Sequence, residues 1–395
     1  MEANIPRRWV LILGTIVAIG PMSIDLYLPS LPTLQAHFGT DAGVVQYTLA
    51  SYFVGLAIGQ IAYGPIADRY GRRGPLLAGL ALYVLASLVC ALAPSIEALI
   101  AARFVQAIGG CSGMIIARAM VRDRHEGPDM ARVLSALVLV MGVAPVLAPL
   151  AGGQILGLFG WRAIFVVLAL FGMMCWGAAW AGLPETIGER SGPIRARSVV
   201  RAYAQLLRHR RFMGYTLAGG VASAGMFAYI TGAPFVFIEV FGVAPERFGL
   251  FFGANAAGLI VASQLNGWLL RRLRAERIVR ATLSVFAASA LVLLLAAATR
   301  TGGIWAVALP LFVCISSLGF SFPNTTAAAM APFGDRAGLA SALMGTLQFA
   351  AAALAGAAVG LLNDGTSLPM ALVIAGCGLA SITLLRALVP VPRAG

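Results

Sequence analysis

Two ionisable residues, Asp25 and Arg103, stand inside otherwise apolar stretches of this 395-residue chain. A charge at mid-bilayer depth costs about 2.5–3.5 kcal/mol on insertion scales, so its presence there points to function. A carboxyl that alternates between water and a closed cavity can bind and release a proton. A guanidinium nearby can hold that carboxylate, relay its protonation state or contact a bound molecule. The 1.5 Å helical rise puts Asp25 about 24 Å from the inner face and Arg103 about 9 Å below the outer one. Both then fall in the outer half of the membrane. The alternative for Asp25 is a hydrated carboxylate that ends the first helix ahead of Pro29 and Pro32.

Other chemistries find no residues to perform them. All 28 basic residues are Arg, which forbids a lysine-containing phosphate loop and a side-chain Schiff base. His37, His125 and His209 fall in loops or at helix ends, with no HExxH motif and no nucleophile–base pair. Cys90, Cys111, Cys175, Cys314 and Cys377 are odd in number and scattered through predicted helices, as small apolar packing residues. The expectation is no enzyme, no cofactor and no metal.

The elements that position the two charges follow from composition. Hydrophobic residues make up 60% of the chain, charged ones 11%, and mean hydropathy is +0.89. A soluble globular chain carries about 25% charged residues. Apolar runs are continuous rather than alternating, and long enough to cross the roughly 30 Å hydrocarbon core as helices. Twelve spans are expected, at 9–28, 44–66, 74–93, 97–119, 132–156, 161–183, 212–235, 248–270, 278–298, 304–328, 338–362 and 368–388. With the N-terminus in the cytosol, only Arg162, Arg247 and Arg300 fall in external loops, and Arg103 lies within a span. The remaining arginines gather on the cytosolic side, as the positive-inside rule requires. The net charge of +13 is therefore a topological signal and not a nucleic-acid surface. Arg7 and Arg8 superficially resemble a twin-arginine signal, but the first span is expected to be a helix of the mature protein.

After six spans the chain turns polar over 184–211, with Glu185, Glu189, Arg190, Arg195, Arg197, Arg201, Arg208, Arg210 and Arg211. The expected organisation is a six-helix bundle over 1–183, a cytosolic linker over 184–211 and a second six-helix bundle over 212–395. Such a layout is that of a transporter built from repeated halves. The halves echo each other weakly, since GPIADR at 64–69 and GWLLRR at 267–272 follow equivalent spans. Arg271 replaces Asp68 in the second copy.

The segment GPIADRYGRRG at 64–74 packs Asp68, Arg69, Arg72 and Arg73 into a very short loop, with Gly71 permitting the tight turn. It resembles the signature loop of the major facilitator superfamily. The resemblance implies that Asp68 latches the inner ends of the two halves, near the start of helix eleven, with Arg72 and Asp123 as pairing partners. LIAARFVQAIGG at 99–110 resembles the family's Arg-containing motif. GVAPVLAPLAGG at 142–153 resembles its antiporter motif, with Gly142, Pro145, Pro149, Gly152 and Gly153, and Ala144 departing from the usual Gly. MSIDLYLPSLP at 22–32, RAMVRD at 118–123 and YITGAPFVFIEVFGV at 229–243 resemble the Bcr/CflA branch of drug/proton antiporters.

That resemblance implies an all-α major facilitator fold of two pseudo-symmetric six-helix bundles, with helices one, four, seven and ten lining a cavity. Asp25 and Arg103 would serve proton coupling. Gln106, Tyr215, Met226, Tyr229, Phe320 and Asn324 would contact substrate, although ordinary helix packing accounts equally well for any one of them. Ser316 lies on the same expected face, and Pro323 bends the helix beside Asn324. The implied partners are protons, a small amphipathic solute of phenicol or bicyclomycin type and membrane lipid. The expected state is a monomer in a bacterial inner membrane, with both termini cytosolic. A metabolite exporter of the same fold is the alternative; an uptake symporter would call for a more polar cavity.

Overall fold

The computed structural model describes residues 7–125, 127–187, 196–333 and 337–389. Part of the expected connector, 188–195 with Glu189, Arg190 and Arg195, lies outside the described residues. Lipid offers no partner to a free N–H or C=O, so the long apolar runs close their hydrogen bonds as helices. In chain order these are α1 (Arg7–Asp25), α2 (Leu31–Phe38), α3 (Ala42–Tyr70), α4 (Arg73–Ala91), α5 (Ile96–Arg124), α6 (Gly127–Phe159) and α7 (Trp161–Gly182). There follow α8 (Ala196–Arg208), α9 (Arg210–Pro234), α10 (Pro245–Leu269), α11 (Ala275–Thr299), α12 (Gly303–Met330), α13 (Ala337–Leu361) and α14 (Leu368–Leu388). Twelve segments among the described residues are long and apolar enough to cross a membrane.

The first span differs from its expected extent of 9–28. A 3-10 turn, Leu28–Ser30, follows α1, and α2 then carries the span on to Phe38. Pro29 and Pro32 are the second residues of these two elements, within the first turn, where a missing N–H breaks no helical bond. They bend the chain without ending its passage. Asp25 consequently lies near the middle of the Arg8–Phe38 span and not at its outer end. In the second half, Pro234 closes α9 and a π-helical stretch, Phe235–Val240, extends that span beyond the expected 235. The first helix of each half is thus broken at a comparable place.

Within the first half α3 packs on α5, α4 on α5 and α7, and α1 on α5, α6 and α7. Within the second, α9 packs on α12, α13 and α14, α11 on α12 and α14, and α10 on α12. The halves meet chiefly through α3 against α13 and α6 against α10, the second and fifth spans of one half on the fifth and second of the other. That reciprocity is the mark of a pseudo-two-fold repeat. Away from these seams the helices turn Leu85, Val89, Leu92, Val292 and Leu295 outward, the surface a lipid solvent permits.

At the Arg-poor end the two seams are tight. A Cβ on Gly43 would lie 2.4 Å from the Gly360 carbonyl oxygen, and one on Gly153 would lie 2.7 Å from that of Pro245. Backbone touches backbone there, so the halves are closed against each other at that end.

Candidate functional site

Arg103 is fully buried in the first half. Its guanidinium lies 4.2 Å from the Tyr52 ring centroid, 4.8 Å from that of Tyr27 and 5.8 Å from that of Phe165. Aromatic faces attract a cation most strongly where water is absent. Nη1 donates to Gln106 Oε1 at 2.5 Å, and Gln106 Nε2 donates to Ser87 Oγ at 2.7 Å. Nε and Nη2 have no hydrogen-bond partner. Gln106, one of the expected substrate contacts, is thus engaged inside the first half, between Arg103 and α4. Tyr27 is itself fixed by Thr48 at 2.9 Å, and Ser23 by Tyr83 at 2.7 Å.

Asp25, the last residue of α1, is 4% exposed. The structure does not pair it with Arg103; among the described residues no hydrogen bond or ion pair reaches its carboxyl. Its electrostatic neighbour is Tyr229, across the interface on α9. The Tyr229 hydroxyl accepts from Asn255 Nδ2 at 2.9 Å, and its ring stacks on Phe252 at 5.4 Å. Arg103 is thus engaged within the first half, whereas Asp25 lies within electrostatic range of Tyr229 in the second. Nearby, Phe53 on α3 meets Phe227 on α9 at 4.7 Å between centroids, and Phe227 meets Phe349 on α13 at 5.8 Å. This aromatic bridge between the halves had no motif to announce it.

The remaining expected contacts in the second half are scattered. Tyr215 is buried near the basic end, with its hydroxyl 3.3 Å from Glu276 Oε1. Met226 and Phe320 are partly buried. Asn324 donates to Asn266 Oδ1 at 2.7 Å and to the Phe320 carbonyl at 2.8 Å, tying α12 to α10. A cavity of about 290 Å³ at the Arg-poor end of the second half, beside Arg300, Thr366 and Ser367, includes none of these residues.

The basic segment expected as a loop is mostly helical: α3 runs through Asp68 and Arg69 to Tyr70, and only Gly71 and Arg72 stand between it and α4. The segment is organised around Arg72, which is 8% exposed. Its Nη1 meets Asp68 Oδ1 at 2.5 Å, while Nε and Nη2 take Asp123 at 2.8 and 3.2 Å. Burial works against the guanidinium charge, but the two carboxylates outweigh it and raise the Arg72 pKa. Thr186 Oγ1 adds a bond to Asp123 at 2.8 Å. Arg69 turns away and covers the Tyr70 ring at 5.1 Å. All of these partners belong to the first half or to the chain just after α7. Among the described residues the Asp68 side chain, 49% exposed, has no ion pair with the second half, and 334–336, ahead of α13 where the latch is expected, lie outside those residues.

Glu185 is the residue that the sequence offered only as one polar side chain among many. Its carboxylate accepts the N–H of Arg72 at 2.8 Å and of Arg73 at 3.2 Å, so it caps the first turn of α4. Thr186 and Ile187 also donate to it, at 2.9 and 3.2 Å. Partial burial would raise this carboxyl, but the N–H groups of Arg72, Ile187, Arg73 and Thr186 overcome that and hold its pKa below the ordinary glutamate range. Gly71 has φ of +94°, and a Cβ there would meet the Glu185 carboxylate at 2.3 Å. The loop glycine is required by both backbone and space.

The glycines of 142–153 line α6 where it meets α10 and the break after α1. A Cβ on Gly152 would lie 2.1 Å from the Leu26 carbonyl oxygen, immediately after Asp25, while Gly142 faces Ile260 more loosely at 3.5 Å. Gly249 on α10 returns the contact, with its Cβ position 2.7 Å from the Leu150 backbone nitrogen. Pro145 and Pro149 remain inside a continuous helix.

Comparison with known proteins agrees with this architecture. A sequence model described as Major Facilitator Superfamily matches residues 11–357. The chain is 36% identical to an uncharacterised MFS-type transporter, YdgK, of Bacillus subtilis, covering 91% of this chain and 90% of that one. It is 30% identical to a bicyclomycin resistance protein homologue of Haemophilus influenzae, covering 95% and 94%. The xylose transporter XylE of E. coli, solved in a partially occluded inward-open conformation, superposes with a TM-score of 0.76. That match is 13% identical and covers 98% of this chain and 99% of the other, a likeness of fold alone. The chain belongs to the major facilitator superfamily, as a twelve-helix transporter of Bcr/CflA-like type.

Proposed function

We propose that this transporter is a proton-coupled exporter of small amphipathic drugs, working by alternating access of its two six-helix halves. The observation that carries the reading is Asp25: a carboxyl near mid-span, 4% exposed, with no ion-pair or hydrogen-bond partner among the described residues and within electrostatic range of Tyr229 in the other half. A carboxylate so placed is costly unless its occupancy by a proton changes during the cycle. Arg103 keeps a fixed positive charge in the same half and biases how that proton is held. The bicyclomycin-resistance relative supports drugs as cargo, and the seams at α3–α13 and α6–α10 support rocking of one half on the other.

In this reading residues 1–183 and 212–395 are the moving bodies and 184–211 connects them. The arginine-rich end faces the cytosol with both termini, the membrane is the bacterial inner one, and one chain is the working unit. Asp68 turns toward the second half when the cytosolic side closes. One proton falling through 100 mV releases about 2.3 kcal/mol, enough to sustain roughly a fortyfold concentration ratio of a neutral solute.

The test is efflux of a phenicol or a lipophilic dye from cells carrying wild type or Asp25→Asn, with and without a protonophore. Loss of efflux in the variant and under the protonophore is the expected result. Efflux that survives Asp25→Asn but not the protonophore moves coupling to another group. If well-folded wild type exports no drug, a narrow metabolite exporter becomes the better reading.

A further inference from the structure

Arg118 lies on α5, six residues before its end at Arg124, so roughly 9 Å inside the cytosolic end of that helix. It is exposed although it belongs to a membrane span. Its surroundings say what it is exposed to. Its Nη2 reaches Met141 Sδ on α6 at 3.7 Å. One turn deeper on α5, Met114 fills the space against Gly20 of α1. One turn shallower, Arg122 approaches Gly338 of α13, where a Cβ would lie 3.7 Å from its Nη1. This face of α5 therefore looks toward α1, α6 and the second half, into the space between the halves.

A guanidinium in that space needs an acceptor. Among the described residues no carboxylate pairs with Arg118, and Arg122 one turn away adds a like charge. Asp123 is taken by Arg72 and Thr186. The thioether of Met141 is a weak acceptor that leaves most of the five N–H donors to water or to a bound group. Deeper in the same interface lie the apolar rings of Phe53, Phe227 and Phe349.

We infer that Arg118 is a cargo-recognition residue that binds an acidic group, so that the preferred cargo is an amphipath with an aromatic or apolar body and a carboxylate or equivalent anion. The inference rests on the exporter reading above and narrows its substrate class. The same chemistry is carried by an anionic lipid headgroup from the inner leaflet, and the test separates the two sources.

Chloramphenicol and its hemisuccinate ester share one aromatic body and differ by a carboxylate. Binding of both is measured to wild type, Arg118→Gln and Arg118→Lys in phosphatidylcholine vesicles, with and without phosphatidylglycerol. Arg118→Gln is expected to weaken the hemisuccinate at least about tenfold, as loss of a charge-assisted pair does, and the parent less than about twofold. Arg118→Lys is expected to recover most of the loss. Equal changes for both compounds, or none for either, overturn the inference. So does wild type that binds the parent but not the ester, and so does an Arg118-dependent response to phosphatidylglycerol without preference for the ester. Wild type that binds neither compound sinks the drug-exporter reading and this assignment with it.

Discussion

Arg103 buries its guanidinium at zero exposure, and among the described residues two of its nitrogens have no hydrogen-bond partner and no carboxylate pairs with it. Burying such a group costs several kcal/mol, of which the rings of Tyr27 and Tyr52 and the bond to Gln106 return only part. The proposed coupling gives a reason for keeping a residue at that cost. Replacement by Leu, close in apolar bulk, is therefore expected to abolish drug efflux without lowering the thermal unfolding midpoint in detergent. A midpoint falling by many degrees would make Arg103 a structural keystone instead. Arg103→Lys separates charge from shape: a point charge cannot stack flat on Tyr52, so efflux should fall about tenfold although the charge remains. Asp25 is the converse case, a lone acid among the described residues to which the proposed coupling assigns the changing proton.

At the scale of elements, the arginine-rich end of α4 is held by a residue far along the chain. Glu185 caps its first turn, and removing such a cap costs about 1 kcal/mol. Its folded pKa lies below the unfolded value of about 4.3, so its contribution is present above that value and is lost as pH falls through the folded one. Glu185→Gln is expected to lower the unfolding midpoint by a constant amount between pH 7 and pH 5. The difference should shrink below about pH 4, because wild type then loses the same charge. A difference independent of pH throughout would mean that the carboxylate charge contributes nothing. The same anchor fixes Arg72, and through it Asp68 and Asp123, so any latch formed by Asp68 starts from a loop already ordered.

For the whole molecule, the closed Arg-poor end is a statement about which of two arrangements is seen. The halves touch backbone to backbone at Gly43 and Gly360, while Arg118 toward the other end is exposed. An added Cβ at Gly356 would lie 3.9 Å from that of Ala50 on α3, within the roughly 3.5–4.5 Å a disulfide spans. The pair Ala50→Cys and Gly356→Cys is expected to cross-link under mild oxidant and to stop transport, with reductant restoring it. Four of the five native cysteines are buried and Cys377 is partly so, which keeps the background low. Failure to cross-link, with each single variant active and labelled, would mean that this closed arrangement is rarely populated.

Much was determined by the sequence by itself, because lipid leaves few choices. Twelve helices, their approximate limits and the isolation of Asp25 and Arg103 follow from apolar length and from the cost of charge in hydrocarbon. The basic segment at 64–74 and the glycine-rich run at 142–153 were visible as motifs, although α3 continues through Asp68 to Tyr70. What only the tertiary structure decided is which side chains face each other. Helical periodicity is silent on partners from distant spans, so nothing local could show that Arg103 would be boxed by tyrosines rather than joined to Asp25. Nor could it show that Gln106 and Asn324 would be used up in packing, or that Glu185 would cap α4. The mid-span position of Asp25 was hidden for a related reason. Proline reads as an end to a helix in sequence, whereas within the first turn of a new helix it merely bends the path.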